Sequence, residues 1–361
     1  MFLGTFVLIF VAMGLLFVID TFLARIEHAE SQAQAMRLLA EGRELAKLGR
    51  ASESIERFRT AVATSPDDPE AELALVRGLL QANQLADAET LLTEMLRRDP
   101  TDGTTNELMA RVLAKEGKTA EATTYYHTAI YGRWPKSEEP NRVAVRFELI
   151  ELLAKTGAKR ELLAELLTLG DEAPKDDQMQ MRIARFFIMA GSPSRGADVY
   201  RQMVRRNPDN PDGHAGLAEA YLAAGNFKAA QNEFSAAARL RPDDAEIRGR
   251  VQVITEIMAL DPTGRRMRGS ERYRRSEKLV RLSLDSLNRC VGSTAPEAIR
   301  PLVEEGNAAL KKKVRASQEN EAADDDQDLA DKLWQARNRT CHEPPQASEE
   351  ALARVMNQLA Q

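Results

Sequence analysis

The chain has 361 residues, 43% of them hydrophobic, and 50 Lys and Arg against 55 Asp and Glu leave a net charge of −5. That balance excludes a disordered polyelectrolyte and a polycation, and 20 Gly, 15 Pro, 2 Cys and 4 His exclude a collagen-like polymer, a disulfide scaffold and a zinc array. Only 5% of residues are aromatic while Ala, Leu, Glu and Arg recur, so the expected class is all-α.

From Phe2 to Ile19 the sequence FLGTFVLIFVAMGLLFVI carries no charge, and at 1.5 Å per residue such a helix covers roughly 27 Å of hydrocarbon. A cleaved signal peptide needs a basic leader and a shorter apolar core, and no Lys or Arg precedes the stretch. A core helix apolar all round has nowhere to be enclosed. Residues 1–24 are therefore expected to be an uncleaved anchor of a single-pass membrane protein, placed in a bacterial inner membrane. Arg25 is the only Lys or Arg close to the stretch. The more distant Arg37, Arg43, Lys47 and Arg50 favour a cytoplasmic domain by the positive-inside rule. An oxidised cysteine pair further on would favour the periplasm, which is the side adopted, with the cytoplasm as the alternative.

A 34-residue period follows. Pro66 and Pro100 are 34 apart, as are Pro174, Pro208 and Pro242, and Gly49, Asn83, Gly117, Gly157, Gly191 and Gly225 keep register across an insertion of six residues between the third and fourth units. The turn-rich stretch from Tyr131 to Asn141 is its expected place. Small residues recur as Ser54, Ala88, Ala122, Gly196 and Ala230, with Leu162 the exception. Large ones follow four positions later, from Phe58 to Phe234.

In this order of small, large and proline positions the chain resembles the tetratricopeptide repeat family, whose unit is a helix-turn-helix. The resemblance implies a right-handed solenoid over 25–262, with six repeats from 35 to 244 and a capping helix at 245–260. The family's early Trp is replaced by Leu38, Glu72, Asn106, Arg146, Gln180 and His214. The family's concave groove is lined by first helices. Carried onto this sequence, those positions hold Arg43, Arg77, Arg111 and Arg185, then Lys47, Lys115 and Lys155, interleaved with Met36, Leu39, Leu73, Leu80, Phe147, Met181, Ile188 and Leu222. Each cation alone reads as a solvated surface residue. The pairs Arg43/Lys47 and Arg111/Lys115 place like charges one turn apart, which helix stability does not favour. The expected partner is a protein or peptide, acidic and with apolar anchors.

Residues 263–361 are expected to form a C-terminal helical region with helices near 276–289, 296–315 and 329–341 and a last helix from Ser348 to Ala360, and with an acidic loop near 317–328. The arginine run from Arg265 to Arg275 reads as an exposed cap or ion-paired linker rather than a nucleic-acid site. Cys290 and Cys341 are either bonded to each other or ordinary buried thiols.

No metal, cofactor or catalytic motif stands out: His28, His127, His214 and His342 are far apart in sequence. The sequence thus points to a non-enzymatic, membrane-anchored scaffold for complex assembly, similar in architecture to the anchored repeat proteins of lipopolysaccharide assembly and cytochrome c maturation. The rivals are an accessory or catalytic unit of an envelope-biogenesis enzyme complex, with a thiol site around Cys290, Cys341 and His342, and a solenoid that polymerises through its ends. Oligomeric state is left open.

Overall fold

A computed structural model describes residues 2–66, 68–135, 141–173, 175–264, 266–292, 296–341 and 343–360, and of residues 2–14, 16, 18–20, 23, 24, 141 and 171 the backbone alone. Pro174, Arg265 and His342 lie outside the described residues. The chain divides into two compact units, one up to Ala158 and one from Lys159.

The first unit holds α1 (Phe2–Lys47), α2 (Ala51–Thr64), α3 (Pro69–Gln81), α4 (Leu85–Arg98), α5 (Gly103–Lys115), α6 (Thr119–Tyr131) and α7 (Asn141–Thr156). The apolar N-terminal stretch and the first helix of the first repeat, expected as separate elements, are one continuous helix. Most side chains of Phe2–Ile19 lie outside the described residues, and among the described residues no helix is long and apolar enough to cross a membrane.

The hairpins follow from two local devices. Gly49, Gly117, Gly157, Gly191 and Gly225 have φ of +72° to +79°, and Asn83 has +58°. This left-handed turn lets the chain reverse after each first helix, with Gly49 N–H donating to Ala46 O and Arg50 N–H to Leu45 O. At the other end of each repeat, Asp68, Asp102, Asp176, Asn210 and Asp244 cap the next first helix through their side chains, two residues after each repeat proline. Between the helices, Phe58, Leu92, Tyr126, Leu166, Tyr200 and Phe234 are buried against small neighbours. A methyl group on Gly42 would sit 2.5 Å from the Phe58 ring, so only Gly admits the phenyl ring there.

The lost Trp position is filled by polar contacts. Glu72 is buried and receives Arg98 at 2.5 Å, Asn106 donates to the carbonyls of Pro100 and Asp102, and Arg146 lies over the Tyr131 ring. The insertion begins by folding back on the third repeat: Gly103 N–H donates to Arg133 O at 2.8 Å, Arg133 N–H to Thr101 O at 2.8 Å, and Trp134 lies buried on Gly103. Residues 136–140, its remainder, lie outside the described residues.

The second unit holds α8 (Lys159–Leu169), α9 (Asp177–Met189), α10 (Pro193–Arg206), α11 (Pro211–Ala223), α12 (Phe227–Leu240), α13 (Ala245–Leu260), α14 (Gly269–Val291), α15 (Arg300–Ala309), α16 (Glu319–Thr340) and α17 (Glu350–Leu359). α14 and α16 run parallel: Arg272 pairs with Asp324 near their starts and a Cys290–Cys341 disulfide, with Cα atoms 6.0 Å apart, joins their ends. Their apolar faces share one core with α11–α13 and α17, running from Ala218 through Leu284 and Leu333 to Met356.

Two expectations are corrected here. The stretch near 317–328, expected as an acidic loop, forms a 3-10 turn at Ala316–Gln318 and the first half of α16. Glu319 and Glu321 stand in the first turn, where they complement the positive helix end, and Ala322 and Ala323 face inward. A charge run was taken for a break although it carried a helix start. The helix expected over 296–315 is only the ten residues of α15.

Candidate functional site

The expected groove cations of the first unit divide into engaged and unengaged groups. Arg43 donates to Glu70 at 2.5 Å, Lys47 to Glu44 at 2.7 Å, and Arg57 to Glu41 at 3.2 Å, and Arg50 pairs with Glu53. These side chains border an open groove of about 1260 Å³ where the end of α1 meets α2 and α3, with Phe58 at its floor and Arg77 on its wall. Charge there is close to balanced, not basic. The carboxylates stand in helix registers that the cation pattern ignores.

Arg111 is withdrawn further. Its Nε and Nη2 donate to both oxygens of Glu148 on α7, at 2.8 and 2.5 Å, and it also pairs with Glu107 one turn back. The bond to Glu148 raises the Arg111 pKa above its ordinary value, against desolvation. The Tyr126 hydroxyl donates to Glu148 at 3.2 Å, and its pKa is pushed up, first by burial and then by the Glu148 charge. This network ties α5, α6 and α7 together. Phe147, expected as an apolar groove contact, is buried at 5% exposure. Leu39 is also core, whereas Met36 is exposed and Leu73 and Leu80 are half-buried.

Arg77, Lys115 and Lys155 are exposed and make no ion pair among the described residues. They stand on successive first helices α3, α5 and α7 of one unit. In the second unit, Arg185 is exposed on α9 near Tyr200, whose pKa is raised by burial and lowered in part by Arg185.

In the second unit the chain's own last helix takes a comparable place. Arg250 on α13 binds both oxygens of Glu219 on α11, at 2.5 and 2.7 Å, and Glu350 in the first turn of α17, at 2.9 Å. Leu222, at an expected groove position, and Ile257 of α13 are buried in the same core as Leu352, Val355 and Met356 of α17. An amphipathic helix with an acidic first turn is thus held beside the first helices. This arrangement was not anticipated. Its sequence signal was the pattern of Glu350 followed by Leu352, Val355 and Met356 at helical spacing.

The arginine run is a structural start for α14. Arg275 donates to the carbonyls of Met258 and Asp261, closing the end of α13, and also binds Glu271 at 2.7 Å, while Arg274 pairs with Glu271 and Arg272 with Asp324. Both cysteines are in the bridge and neither is a free thiol. Among the described residues no group of His, Cys, Asp and Glu is arranged to hold a metal ion. His214 is engaged within its hairpin by Glu233 at 2.6 Å and the Pro208 carbonyl at 2.8 Å.

Comparison with known proteins bears on the repeats. A putative cellulose synthase operon protein C of Escherichia coli O157:H7 is 22% identical over 212 residues, which are 58% of this chain and 18% of that protein, so the chain spans less than a fifth of that relative's length. Among solved structures, the C-terminal part of a TPR repeat-containing protein from Cytophaga hutchinsonii is 11% identical, covering 88% of this chain and 99% of that one with a TM-score of 0.46. YrrB, described as a TPR protein with an unusual peptide-binding site, is 15% identical, covering 53% of this chain and 96% of that one with a TM-score of 0.42. The tetratricopeptide repeat family is matched directly at residues 45–112 and 187–250. Together with the 34-residue register of turns, caps and buried pairs, this match shows that the chain carries tetratricopeptide repeats.

Proposed function

We propose that the protein is a membrane-anchored scaffold that holds an acidic amphipathic helix of a partner protein against the first helices of its first unit. The observation that carries this reading is the row of exposed cations Arg77, Lys115 and Lys155 on α3, α5 and α7, which make no ion pair among the described residues. Cations left without carboxylates on one face, beside half-buried Leu73 and Leu80, suit a ligand that brings both carboxylates and apolar side chains. The docking of α17 through Glu350 and its apolar face supports the helical form of that ligand. The uncharged stretch Phe2–Ile19 supports an anchor, which would raise the local concentration of a modest binder at the bilayer. The Cys290–Cys341 bridge supports an oxidising, periplasmic side.

The test uses the full chain in nanodiscs and a synthetic amphipathic peptide with Glu in its first turn. Titration is compared for the unaltered chain and for Arg77→Glu/Lys115→Glu/Lys155→Glu. Reversal of three cations is expected to weaken binding by about tenfold or more, chiefly at low salt. Equal binding by both proteins would remove the groove from the proposal. Labelling of the reduced cysteines by a membrane-impermeant reagent only after permeabilisation would remove the periplasmic side.

A further inference from the structure

One face of α1 is left bare. From Ala35 onward the helix packs into the first repeat, with Ala35 and Leu39 buried and Gly42 O accepting the Ser54 hydroxyl. Ahead of that, among the described side chains from Phe22 to Gln34, Ser31 is half-buried and the others are exposed. Phe22, Ile26, Ala29, Ala33 and Met36 follow one another at steps of four, three, four and three residues, so they line one narrow strip of the helix. Phe22 is 62% exposed, Ile26 41% and Met36 67%. Most positions between them are polar, among them Arg25, Glu27, Glu30, Gln32 and Gln34.

Alternating steps of four and three are the period of a coiled-coil seam, narrower than the apolar face of a helix that covers a globular core. In that register Ile26 and Ala33 take the first apolar position of the heptad, and Phe22, Ala29 and Met36 the second. Arg25 stands just before Ile26 and Glu30 just after Ala29, at the two positions that flank the seam. In a parallel pair of helices those positions meet across the interface, so Arg25 of each copy faces Glu30 of the other. Neither side chain makes an ion pair among the described residues of its own chain. Leu39, the next flanking position after Gln32, is buried in the repeat, which ends the seam at Met36.

We propose that a second copy of the chain docks on this strip, α1 against α1 in parallel and in register over Phe22–Met36. A helix without tertiary packing is marginal in water, and a partner that covers Phe22, Ile26 and Met36 removes their apolar surface from solvent. Ala29 and Ala33 let the two backbones approach closely between those larger side chains. The crossed Arg25–Glu30 pairs select the parallel register. Two anchors in one bilayer would impose the same order, but the strip and its flanking charges favour it without an anchor, and the pairing does not depend on what the groove binds.

The experiment uses the full chain in detergent, with micelles in large excess over chains, and one added cysteine at a time: Ala29→Cys, Met36→Cys and, on the opposite side of the helix, Ser31→Cys. Both native cysteines are held in the disulfide and do not compete. Under mild oxidation Ala29→Cys and Met36→Cys are each expected to give a covalent dimer, and Ser31→Cys several-fold less, because a bridge forms only between closely spaced Cα atoms. Positions 29 and 36 are seven residues apart, so an antiparallel pair would bring at most one of them to its own counterpart. Glu30→Arg, added to Ala29→Cys, sets Arg25 against a second arginine and is expected to lower the dimer yield about threefold or more. Arg25→Glu in the same chain is expected to restore it. The absence of a dimer, equal yields at all three positions, a dimer through only one of positions 29 and 36, or a yield indifferent to Glu30→Arg would each overturn the proposal.

Discussion

Arg111 in the first unit and Arg250 in the second solve the same problem with different partners. Each arginine gathers two carboxylates from separate stretches of chain. Arg111 joins Glu107 on its own helix to Glu148 on the next first helix, whereas Arg250 joins the preceding first helix to the chain's terminal helix. The first network tightens the wall of the repeat stack; the second fastens a helix against it. The difference teaches that an arginine at or near a groove register is a ligand contact only when no carboxylate of the chain reaches it. The units differ also in how they are closed, since a disulfide joins α14 to α16 in the second.

The largest effect is expected from removing that closure. The bridged cysteines are 51 positions apart in sequence, and a loop of that size corresponds to about 4 kcal/mol in the chain-entropy account. Cys290→Ser/Cys341→Ser is therefore expected to lower the unfolding free energy of the second unit by that amount, read as a lower urea midpoint, and to leave the first unit's transition in place. A single transition moving as a whole would show that the two units do not unfold independently.

The next effect separates the two arginines. Arg111→Met removes the two-bond partner of Glu148, whose side chain is 29% exposed, and one partner of Glu107, whose side chain is 12% exposed, and is expected to cost about 2–3 kcal/mol, because partly buried carboxylates that lose a charged donor are poorly rehydrated in place. Arg250→Met leaves Glu219 and Glu350, at 37% and 31% exposure, and is expected to cost about 1–2 kcal/mol. Urea unfolding of both variants checks the order. The reverse order would place the principal constraint on α17 rather than on the repeat wall.

Titration sharpens the comparison from another side. In the second unit the Asp326 carboxyl is pushed up to about 6, first by burial, then by the charges of Glu277 and Asp325, with Lys312 opposing. The ordinary Asp value is 3.8, so the folded state binds more protons between about pH 4 and 6. Stability from this group is present below that window and lost as pH rises through it, by about 1–2 kcal/mol. Asp326→Asn is expected to remove this slope and to stabilise the second unit at neutral pH. In the first unit the shifted carboxyls, Glu53, Glu94 and Asp99, are held low, chiefly by hydrogen bonds from Arg50, Arg97 and Thr101 respectively. Their contribution has the opposite sign and is lost as pH falls. Melting curves at pH 4 and 7, with and without the Asp326 substitution, distinguish the two.

The repeat architecture was legible because its causes are local: a left-handed residue at each hairpin turn, a side-chain cap after each proline, and a small residue facing a large one. The surroundings of the expected groove cations were not legible. Register gives their positions on the helices, but whether each is already neutralised depends on Glu70 and Glu148, 27 and 37 residues from Arg43 and Arg111. No periodic pattern of positive charge reveals those partners. The acidic start of α16 was missed for a related reason: a run of Asp and Glu has the composition of a solvated break, and its helical cause lies in the end of the helix it begins and in the alanines buried against α14.

The smallest effect on stability is expected where the effect on binding is largest. Arg77, Lys115 and Lys155 make no ion pair among the described residues, so replacing each singly by Gln is expected to change unfolding free energy by less than about 0.5 kcal/mol. The contrast with Arg111 is the test of the comparison itself. If Lys115→Gln destabilised the first unit as much as Arg111→Met, the division between wall-building and free cations would fail. If it left the urea midpoint unchanged while weakening the acidic helical peptide, the free cations would be surfaces kept open for a ligand, one turn along the same helix from a cation spent on the fold.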